Sequence, residues 1–231
     1  GSQVDTLMAM RAMESTRALG ENHESRFLTT ANNAQLKTGN INLVNGRPHR
    51  WVGSAASSTH VATLSDFVAM KLSFDKANAP ASGRIAIVDP VVEATLNSLI
   101  STTSVINNTP QFQGVVNEGF ARDHRFVRNI MGWDIYTSNY LPSLTATEAL
   151  DASGHGLTSE TAAVGDKANI FMCVADDSCK PIMHAWRRAP QTEGWRDQEE
   201  RADKYQVTSR FGFGAQRVDT LGIILTSSTA Y

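Results

Sequence analysis

Ser138 and His155 of this 231-residue chain are residues whose types and surroundings could allow hydrolytic chemistry. Ser138 lies in "GWDIYTSNYLP", and His155 lies in the glycine-containing segment "SGHGLTSE". A serine becomes a nucleophile when an adjacent base such as histidine accepts its proton. However, the chain has no G-x-S-x-G motif, and no motif places a base beside Ser138. Because serine and asparagine hydrogen-bond the backbone of turns, we interpret Ser138 and Asn139 as turn residues, with a small hydrolase that uses Ser138 or His155 as the alternative.

Metal-ligand and cofactor motifs give no stronger signal. No two of the six histidines have the i, i+4 spacing of a helical metal site. Cys173 and Cys179 alone cannot complete a four-ligand zinc site, so we expect free thiols. Asp176 and Asp177 lie in a predicted turn that lacks the other ligands of a calcium loop. The sequence therefore predicts no catalytic, cofactor-binding or metal-binding residue, and a protein that is not an enzyme.

The composition is that of an ordinary globular protein. Hydrophobic residues make up 41% of the chain and charged residues 19%, and the formal net charge is -2. A near-neutral charge argues against a protein whose main work is to grip nucleic acid, because such proteins are usually strongly basic. No apolar run approaches ~20 residues, so no membrane span is predicted. No secretory signal is recognised either.

The first part of the chain contains elements that cannot bury themselves. Apolar spacing predicts a helix over 4–19, ended by Gly20. The polar stretch that follows contains "INLVNGRPHRW", in which Asn45-Gly46 predicts a two-residue hairpin turn. An isolated hairpin is only marginally stable in water, so we expect it to lie on a partner.

The rest of the chain predicts one good helix followed mostly by strands. The helix runs from Leu64 to Asn78, a strand follows in "GRIAIVDP", and Pro90 begins a second helix capped by Asp89. A single strand is predicted over 126–136 and an irregular excursion over 143–167. Further strands are expected in "ANIFMCVA", "KPIMHAWRR" and the last 27 residues, with "TEGWRDQEERADK" as a charged connector. This order predicts an α+β fold and excludes a regular doubly wound parallel sheet.

Charged and aromatic side chains are candidates for contacts between subunits, because arginine and tryptophan are enriched at protein interfaces. The segment "RDHRFVR" around His124 is one such cluster, and the predicted hairpin strand with Trp51 is another. A Trp51→Ala change is accordingly expected to impair assembly more than folding. The candidate contact residues are Arg47, Arg50, Trp51, Arg122, Arg125, Arg128, Arg187 and Arg188.

Three segments together resemble the major capsid (coat) proteins of tailed double-stranded-DNA bacteriophages. They are "FDKANAPASGRIAIVDPVVEATL", "IMGWDIYTSNYLP" and "YQVTSRFGFGAQRVDTLGIILTS", which extend from about residue 60 to the end. The resemblance implies the capsid fold shared by tailed phages and herpesviruses. The implied parts are an N-terminal arm (1–20), an extended β-hairpin loop (21–57), the spine helix of a peripheral domain (58–83), mainly the axial domain (84–190), and closing strands of the peripheral domain (191–231).

The resemblance also implies a function. The subunit would self-assemble into hexamers and pentamers of an icosahedral shell that encloses packaged double-stranded DNA, without sequence-specific recognition of that DNA. Scaffolding, portal and cement proteins would be further partners, no membrane would be involved, and the subunit would reside in the virion after assembly in the host cytoplasm. A head-decoration or adaptor protein, which binds a shell without forming one, is the second alternative.

Overall fold

The computed structural model describes residues 2–35, 41–53, 59–102, 129–157 and 159–230, with backbone only for 2–5 and 99–102. The helices in this part of the chain are α1 (Ser2–Ala34), α2 (Leu64–Lys76) and α3 (Pro90–Thr102). The strands are β1 (Leu43–Val44), β2 (Arg47–Pro48), β3 (Arg50–Val52), β4 (Arg84–Val88), β5 (Asn129–Ile130), β6 (Trp133–Thr137), β7 (Glu148–Leu150), β8 (Glu160–Ala162), β9 (Lys167–Cys173), β10 (Ile182–Asp197), β11 (Ala202–Ala215) and β12 (Leu221–Thr226). This is the mixed helix-and-sheet architecture that the sequence predicts.

A six-stranded mixed sheet in the order β3-β12-β9-β4-β6-β5 forms the centre of the subunit. β12 pairs in parallel with β3 on one side and antiparallel with β9 on the other. Side chains of β9 alternate between the two faces, as those of a strand must. Phe171 packs in the core shared with α2 and α3, whereas Ile170 and Met172 pack in the core shared with α1. The sheet is therefore covered by helices on both faces.

α2 packs closely against the sheet. A side-chain cap satisfies the start of the helix, and β12 has a glycine where the helix lies against it. The backbone N–H of Thr63 donates to Asp66 Oδ2 at 2.8 Å, which satisfies a donor at the start of the helix. Phe67, Met70 and Phe74 are fully buried beneath it. A Cβ at Gly222 of β12 would lie only 2.3 Å from the Met70 sulfur, so a larger residue here would force the end of the Met70 side chain to move.

α3 begins as the sequence predicts. The Asp89 carboxylate accepts a hydrogen bond from the Val91 N–H at 3.1 Å, and Val92 and Leu96 are buried against the sheet. The side chains of Leu99 and Ile100, which the sequence places in the same apolar stripe, lie outside the described residues. The buried amide of Asn169 connects this cap to β12, since its Oδ1 accepts from the Asp89 N–H and its Nδ2 donates to the Thr226 hydroxyl.

α1 is much longer than the helix predicted over 4–19. It continues through Gly20 to Ala34, so the segment expected to start an extended loop is helical for its first 14 residues. A glycine in a helix costs only about 1 kcal/mol relative to alanine. Burial of Leu28 and Ala31 against the sheet anchors the second half of the helix and outweighs that cost.

Two further sequence predictions need correction. The described part of the single strand predicted over 126–136, from Asn129 onward, is a hairpin, because Met131 and Gly132 take positive φ angles of 52° and 88° and turn the chain between β5 and β6. A methionine with a positive φ angle is rare, so the sequence does not predict a turn at this position. The excursion over 143–167 contains the paired strands β7 and β8.

The long hairpin of this subunit is formed by β10 and β11, not by the Asn45-Gly46 segment. The predicted Asn-Gly hairpin exists, with φ of 49° and 76° at its two turn residues, but its strands are two residues long. β10 and β11 pair along most of 16 and 14 residues and belong to no other sheet. At about 3.3 Å per residue they form a two-stranded ribbon about 50 Å long. The segment interpreted as a charged connector is the distal half of this ribbon.

Candidate assembly surface

Two elements of the subunit expose large apolar side chains away from the packed sheet. The first is the early part of α1, where Leu7, Met10 and Met13 are 57%, 58% and 74% exposed. The second is the ribbon, in which every β10 residue between Ile182 and Asp197 is exposed. Exposed apolar residues concentrated on projecting elements are typical of surfaces that bind other protein chains.

The distal end of the ribbon is ordered by its own ion pairs. Lys204 Nζ lies 2.6 Å from Asp197 Oδ2 and 3.0 Å from Glu200 Oε2, and these carboxylates raise the pKa of the lysine. Trp195 lies opposite Lys204, and Tyr205 lies opposite Gly194. Because cross-strand partners share a face, the indole and the phenol project from opposite faces of the ribbon. The tip thus has ion pairs of its own and offers an aromatic side chain on each face.

The base of the ribbon is attached to α1 through a cluster of rings, which we call the junction cluster: His23, His184, Trp186, Phe211 and Phe213. The His23 ring stacks on Trp186 with centroids 5.3 Å apart and lies 4.7 Å from Phe211. The Nε2 atoms of His23 and His184 are 3.2 Å apart, so one ring must donate a proton and the other must accept it. Burial, and then repulsion from His184, lower the pKa of His23. The junction therefore favours the neutral form of His23.

Ser138, the proposed nucleophile of the hydrolase alternative, has a structural partner. Its hydroxyl donates to Glu24 Oε1 at 2.5 Å and accepts from the Tyr140 N–H at 3.1 Å. The corner after β6 is thereby tied to α1. His155 lies elsewhere, against the short hairpin, with Nδ1 3.0 Å from the Gly46 carbonyl oxygen. The two candidate catalytic residues thus have separate partners, and no contact in the described part of the chain joins them.

Arg50 and Trp51, expected on a surface that contacts a neighbour, are interior residues. Arg50 is fully buried, and its guanidinium donates to Glu148 at 2.7 Å and to Asn32 at 2.9 Å. Trp51 is 1% exposed, with its indole N–H 3.3 Å from Asp66 Oδ1. The expectation is wrong because β3 pairs with β12 and carries both side chains into the subunit, a long-range contact that local sequence does not reveal.

The other candidate contact arginines have different surroundings. Arg47 donates to the His155 carbonyl oxygen inside the subunit. Arg188 forms an ion pair with Glu193 of the same ribbon at 2.5 Å, whereas Arg187 is exposed. Arg122, Arg125 and Arg128, together with His124, lie outside the described residues. A role of the surface arginines in subunit contacts remains a prediction.

Sequence reasoning predicted a helix in the N-terminal arm but missed the ribbon. The signal was present in the strand-forming residues on both sides of "DQEERAD", because an acidic turn between two such runs is typical of a long hairpin. Among the described residues, no group of three or more His, Cys, Asp or Glu side chains could hold a metal ion. Nor is any described helix long and apolar enough to cross a membrane. Cys173 and Cys179 are free thiols, as expected, and both are buried.

Comparison with known proteins places this geometry in a family. The family model described as "Phage capsid protein" matches residues 3–226. A chain of Mycobacterium phage Che8 has a similar structure, with a TM-score of 0.58 and 16% identity over 93% of this chain and 61% of that chain. The capsid of the cyanophage P-SCSP1u gives a TM-score of 0.61 and 15% identity, covering 98% of this chain and 69% of the other. The mature capsid of bacteriophage PhiM1 gives 0.50 and 12%, covering 98% and 65%.

The sequence identity to these three structures is 16% or less, which is too low to transfer a function. The likenesses therefore establish the fold alone. The chain spans about three fifths of the Che8 chain. No curated protein sequence matches it. Since the family match covers nearly all of the sequence and the similar folds are those of phage capsids, the chain belongs to the phage capsid protein family.

Proposed function

We propose that this chain is the major capsid subunit of a tailed phage and that it acts by self-association into an icosahedral shell. The observation that carries the proposal is the pair of elements that leave the packed sheet with apolar side chains exposed, in a member of the capsid family. An isolated two-stranded ribbon is only marginally stable in water. Contact with neighbouring subunits supplies the burial that the ribbon lacks within its own subunit.

The contacts between subunits are heterologous in this proposal. The ribbon and the early part of α1 of one subunit lie on the body of the next, and repetition of that contact closes rings of six and of five. The rings then tile a shell around double-stranded DNA. In domain terms, the early part of α1 is the N-terminal arm and the ribbon is an extended loop, whereas the sheet with α2 and α3 is the body.

The side chains available on these elements suffice for association. Full burial of a large apolar side chain contributes about 1.5–3 kcal/mol. Leu7, Met10 and Met13 on α1 and Trp195 on the ribbon are about half exposed or more. Because association costs at least about 4 kcal/mol in lost translational and rotational freedom, several of these side chains must be buried together. Contacts on both projecting elements bury more of these side chains than a contact on either element alone.

The experiment is to remove the ribbon's aromatic side chains and measure particle formation. Purified wild-type protein is expected to sediment as rings or shells and to show particles by negative-stain electron microscopy. A Trp195→Ser and Tyr205→Ser double variant should remain folded by circular dichroism but sediment as subunits. The matched control is Val164→Ser, since Val164 is 63% exposed in a turn of the body.

Two results would contradict the proposal. One is a wild-type protein that sediments as a monomer and hydrolyses ester or peptide substrates, which would favour the hydrolase alternative. The other is a double variant that forms particles as well as the Val164→Ser control does. A wild-type protein that decorates preformed phage heads but forms no shell would identify a decoration or adaptor protein instead.

A further inference from the structure

A groove between α1 and the base of the ribbon is lined by both basic and aromatic side chains. Its volume is about 590 Å³. Three arginines from three different segments line it, namely Arg26 on α1, Arg187 on β10 and Arg210 on β11. Trp186 and Phe211 of the junction cluster form its apolar wall. The groove therefore combines concentrated positive charge with flat aromatic surface.

The three arginines are not neutralised within the subunit. None of them forms a salt bridge with any residue that the structure describes, and no acidic side chain lines the groove. Other arginines nearby are paired, since Arg17 contacts Glu21 at 2.8 Å and Arg188 contacts Glu193 at 2.5 Å. The groove thus retains an excess of three positive charges.

Glu21 and Glu24, the acidic residues of α1 nearest to Arg26 in the sequence, have partners outside the groove. Glu24 accepts a hydrogen bond from the Ser138 hydroxyl, and Arg17 and the Tyr140 hydroxyl bind Glu21 and lower the pKa of its carboxyl. Arg26 lies on the other side of the helix with its Cζ 5.9 Å from the centre of the Phe211 ring. The charges of this helix are therefore separated, with acids against the corner after β6 and a base toward the ribbon.

We propose that this groove binds a nucleic-acid strand through its phosphodiester backbone. A guanidinium group matches two phosphate oxygens with two parallel hydrogen bonds, and a nucleic-acid strand carries one phosphate group per nucleotide. Successive phosphates can therefore engage all three arginines. A single carboxylate would satisfy one arginine and leave the other two unpaired.

The aromatic wall favours nucleic acid over an acidic peptide. Trp186 is 48% exposed although its ring packs in the junction cluster, so part of the indole is open to a ligand. An unpaired base can stack on such a ring, and each stack contributes about 1–3 kcal/mol. An acidic peptide supplies charge without a planar group for this surface. An unpaired strand is accordingly the occupant that uses both the arginines and the indole.

The test uses the full chain as dissociated subunits, so its outcome does not depend on whether the chain forms shells. A 12-nucleotide single strand carrying a fluorescent label is titrated with protein, and the dissociation constant is measured by anisotropy at several salt concentrations. The double variant Arg187→Gln and Arg210→Gln is expected to bind at least 10-fold more weakly. The slope of log affinity against log salt should become shallower by about 1.4, since each lost phosphate contact contributes about 0.7.

The matched control is Arg188→Gln, which removes a charge from the same ribbon at a residue that already has an acidic partner. Its affinity should stay within twofold of wild type. A Trp186→Leu variant, checked for folding by circular dichroism, should lose about 5-fold or more in affinity for the single strand. A duplex of the same sequence, whose bases are already stacked, should bind more weakly than the single strand.

Several outcomes would overturn the proposal. If wild-type protein does not bind the strand at 50 mM salt, or if Arg188→Gln weakens binding as much as the double variant does, the groove is not a nucleic-acid site. Displacement of the strand by polyglutamate at equal charge concentration would assign the groove to an acidic peptide. Equal affinity for duplex and single strand would show that the indole does not stack on a base.

Discussion

The sheet core and the ribbon contain similar kinds of residues but differ in what covers them. All six residues of β12 are buried, whereas fourteen consecutive residues of β10 are exposed. The four tryptophans divide evenly between the regions, with Trp51 and Trp133 at 1% and 0% exposure and Trp186 and Trp195 at 48% and 46%. The same side chain thus stabilises the subunit in one region and is available to partners in the other. Aromatic content alone does not distinguish a core residue from a contact residue.

The largest effect on the free energy of unfolding is expected from a comparison of two single variants. One lacks a tryptophan of the sheet core, and the other lacks a tryptophan of the ribbon. Trp51→Ala should lower the free energy of unfolding by about 3–5 kcal/mol, because it leaves a cavity in the core. Trp195→Ala should change it by less than about 0.5 kcal/mol, since its side chain has solvent around it. Denaturant unfolding monitored by circular dichroism measures both. Equal losses in the two variants would mean that the ribbon is part of the cooperative fold.

A second change tests the polar part of the core. Glu148→Gln keeps the shape of the side chain but leaves the buried Arg50 guanidinium without its counter-charge. Loss of one partner of a buried ion pair should destabilise the subunit by about 3 kcal/mol. The corresponding ribbon pair is exposed, so Glu193→Gln should cost less than about 1 kcal/mol. Thermal unfolding of the two variants measures whether the buried ion pair contributes more to stability than the exposed one.

A smaller effect is expected where α1 meets the body. Ser138→Ala removes the hydroxyl that links Glu24 to the Tyr140 N–H, which should cost about 1 kcal/mol in stability. Particle formation should continue, because no projecting element changes. If the variant instead folds normally and loses a hydrolytic activity of the wild type, Ser138 is a catalytic residue. Differential scanning calorimetry and electron microscopy of the same preparation give the two readouts.

The smallest effect is the pH dependence of the contact between α1 and the ribbon. The pKa of His23 is lowered in the folded subunit, so protonation favours states in which the ring is released. The stabilisation is complete above the ordinary histidine pKa of about 6.5 and decreases as the pH falls below it. Hydrogen exchange of the backbone around residues 20–30, corrected for intrinsic rates, should be faster at pH 5.5 than at pH 7.5.

His23→Phe is the control for this pH dependence. It keeps a ring against Trp186 but carries no titratable group, so its exchange should not change between the two pH values. The groups that face His23 are His184 on the ribbon and, nearby on α1, Arg26, whose guanidinium contacts Phe211. A wild-type protein with no change in exchange between these pH values would contradict the role assigned to the histidine pair.

The helices of the core could be predicted well because their signals are local. Asp89 followed by Pro90 fixes the start of α3, and the predicted helix from Leu64 begins at that residue in the structure. The buried face of α2 was less predictable. Val68 and Leu72 follow the three-and-four apolar spacing of this helix, which predicts that they are buried, but they are 47% and 43% exposed. Ser73, by contrast, is buried and donates to the Pro48 carbonyl oxygen. Which face of a helix is buried depends on what the rest of the chain places beneath it.

The candidate contact surface was harder to predict because it depends on pairings between distant segments. Arg50 and Trp51 have the residue types of an exposed hairpin strand, and only the pairing of β3 with β12 reveals that they are internal. The ribbon was missed because its charged distal half has the composition of a connector. Its register, with Trp195 opposite Lys204, makes it a hairpin. Composition indicates exposure in this segment but does not reveal strand pairing.

The position of β12 inside the sheet has a consequence for how the subunit is made. Its parallel partner β3 is synthesised early and its antiparallel partner β9 later, and both wait for Leu221–Thr226 to emerge from the ribosome. Contacts between such distant segments form slowly, because a long loop must close before they are gained. A polypeptide interrupted before this strand leaves a gap between β3 and β9, since β12 is the strand that pairs with both. The sheet therefore becomes complete only after translation has passed Thr226.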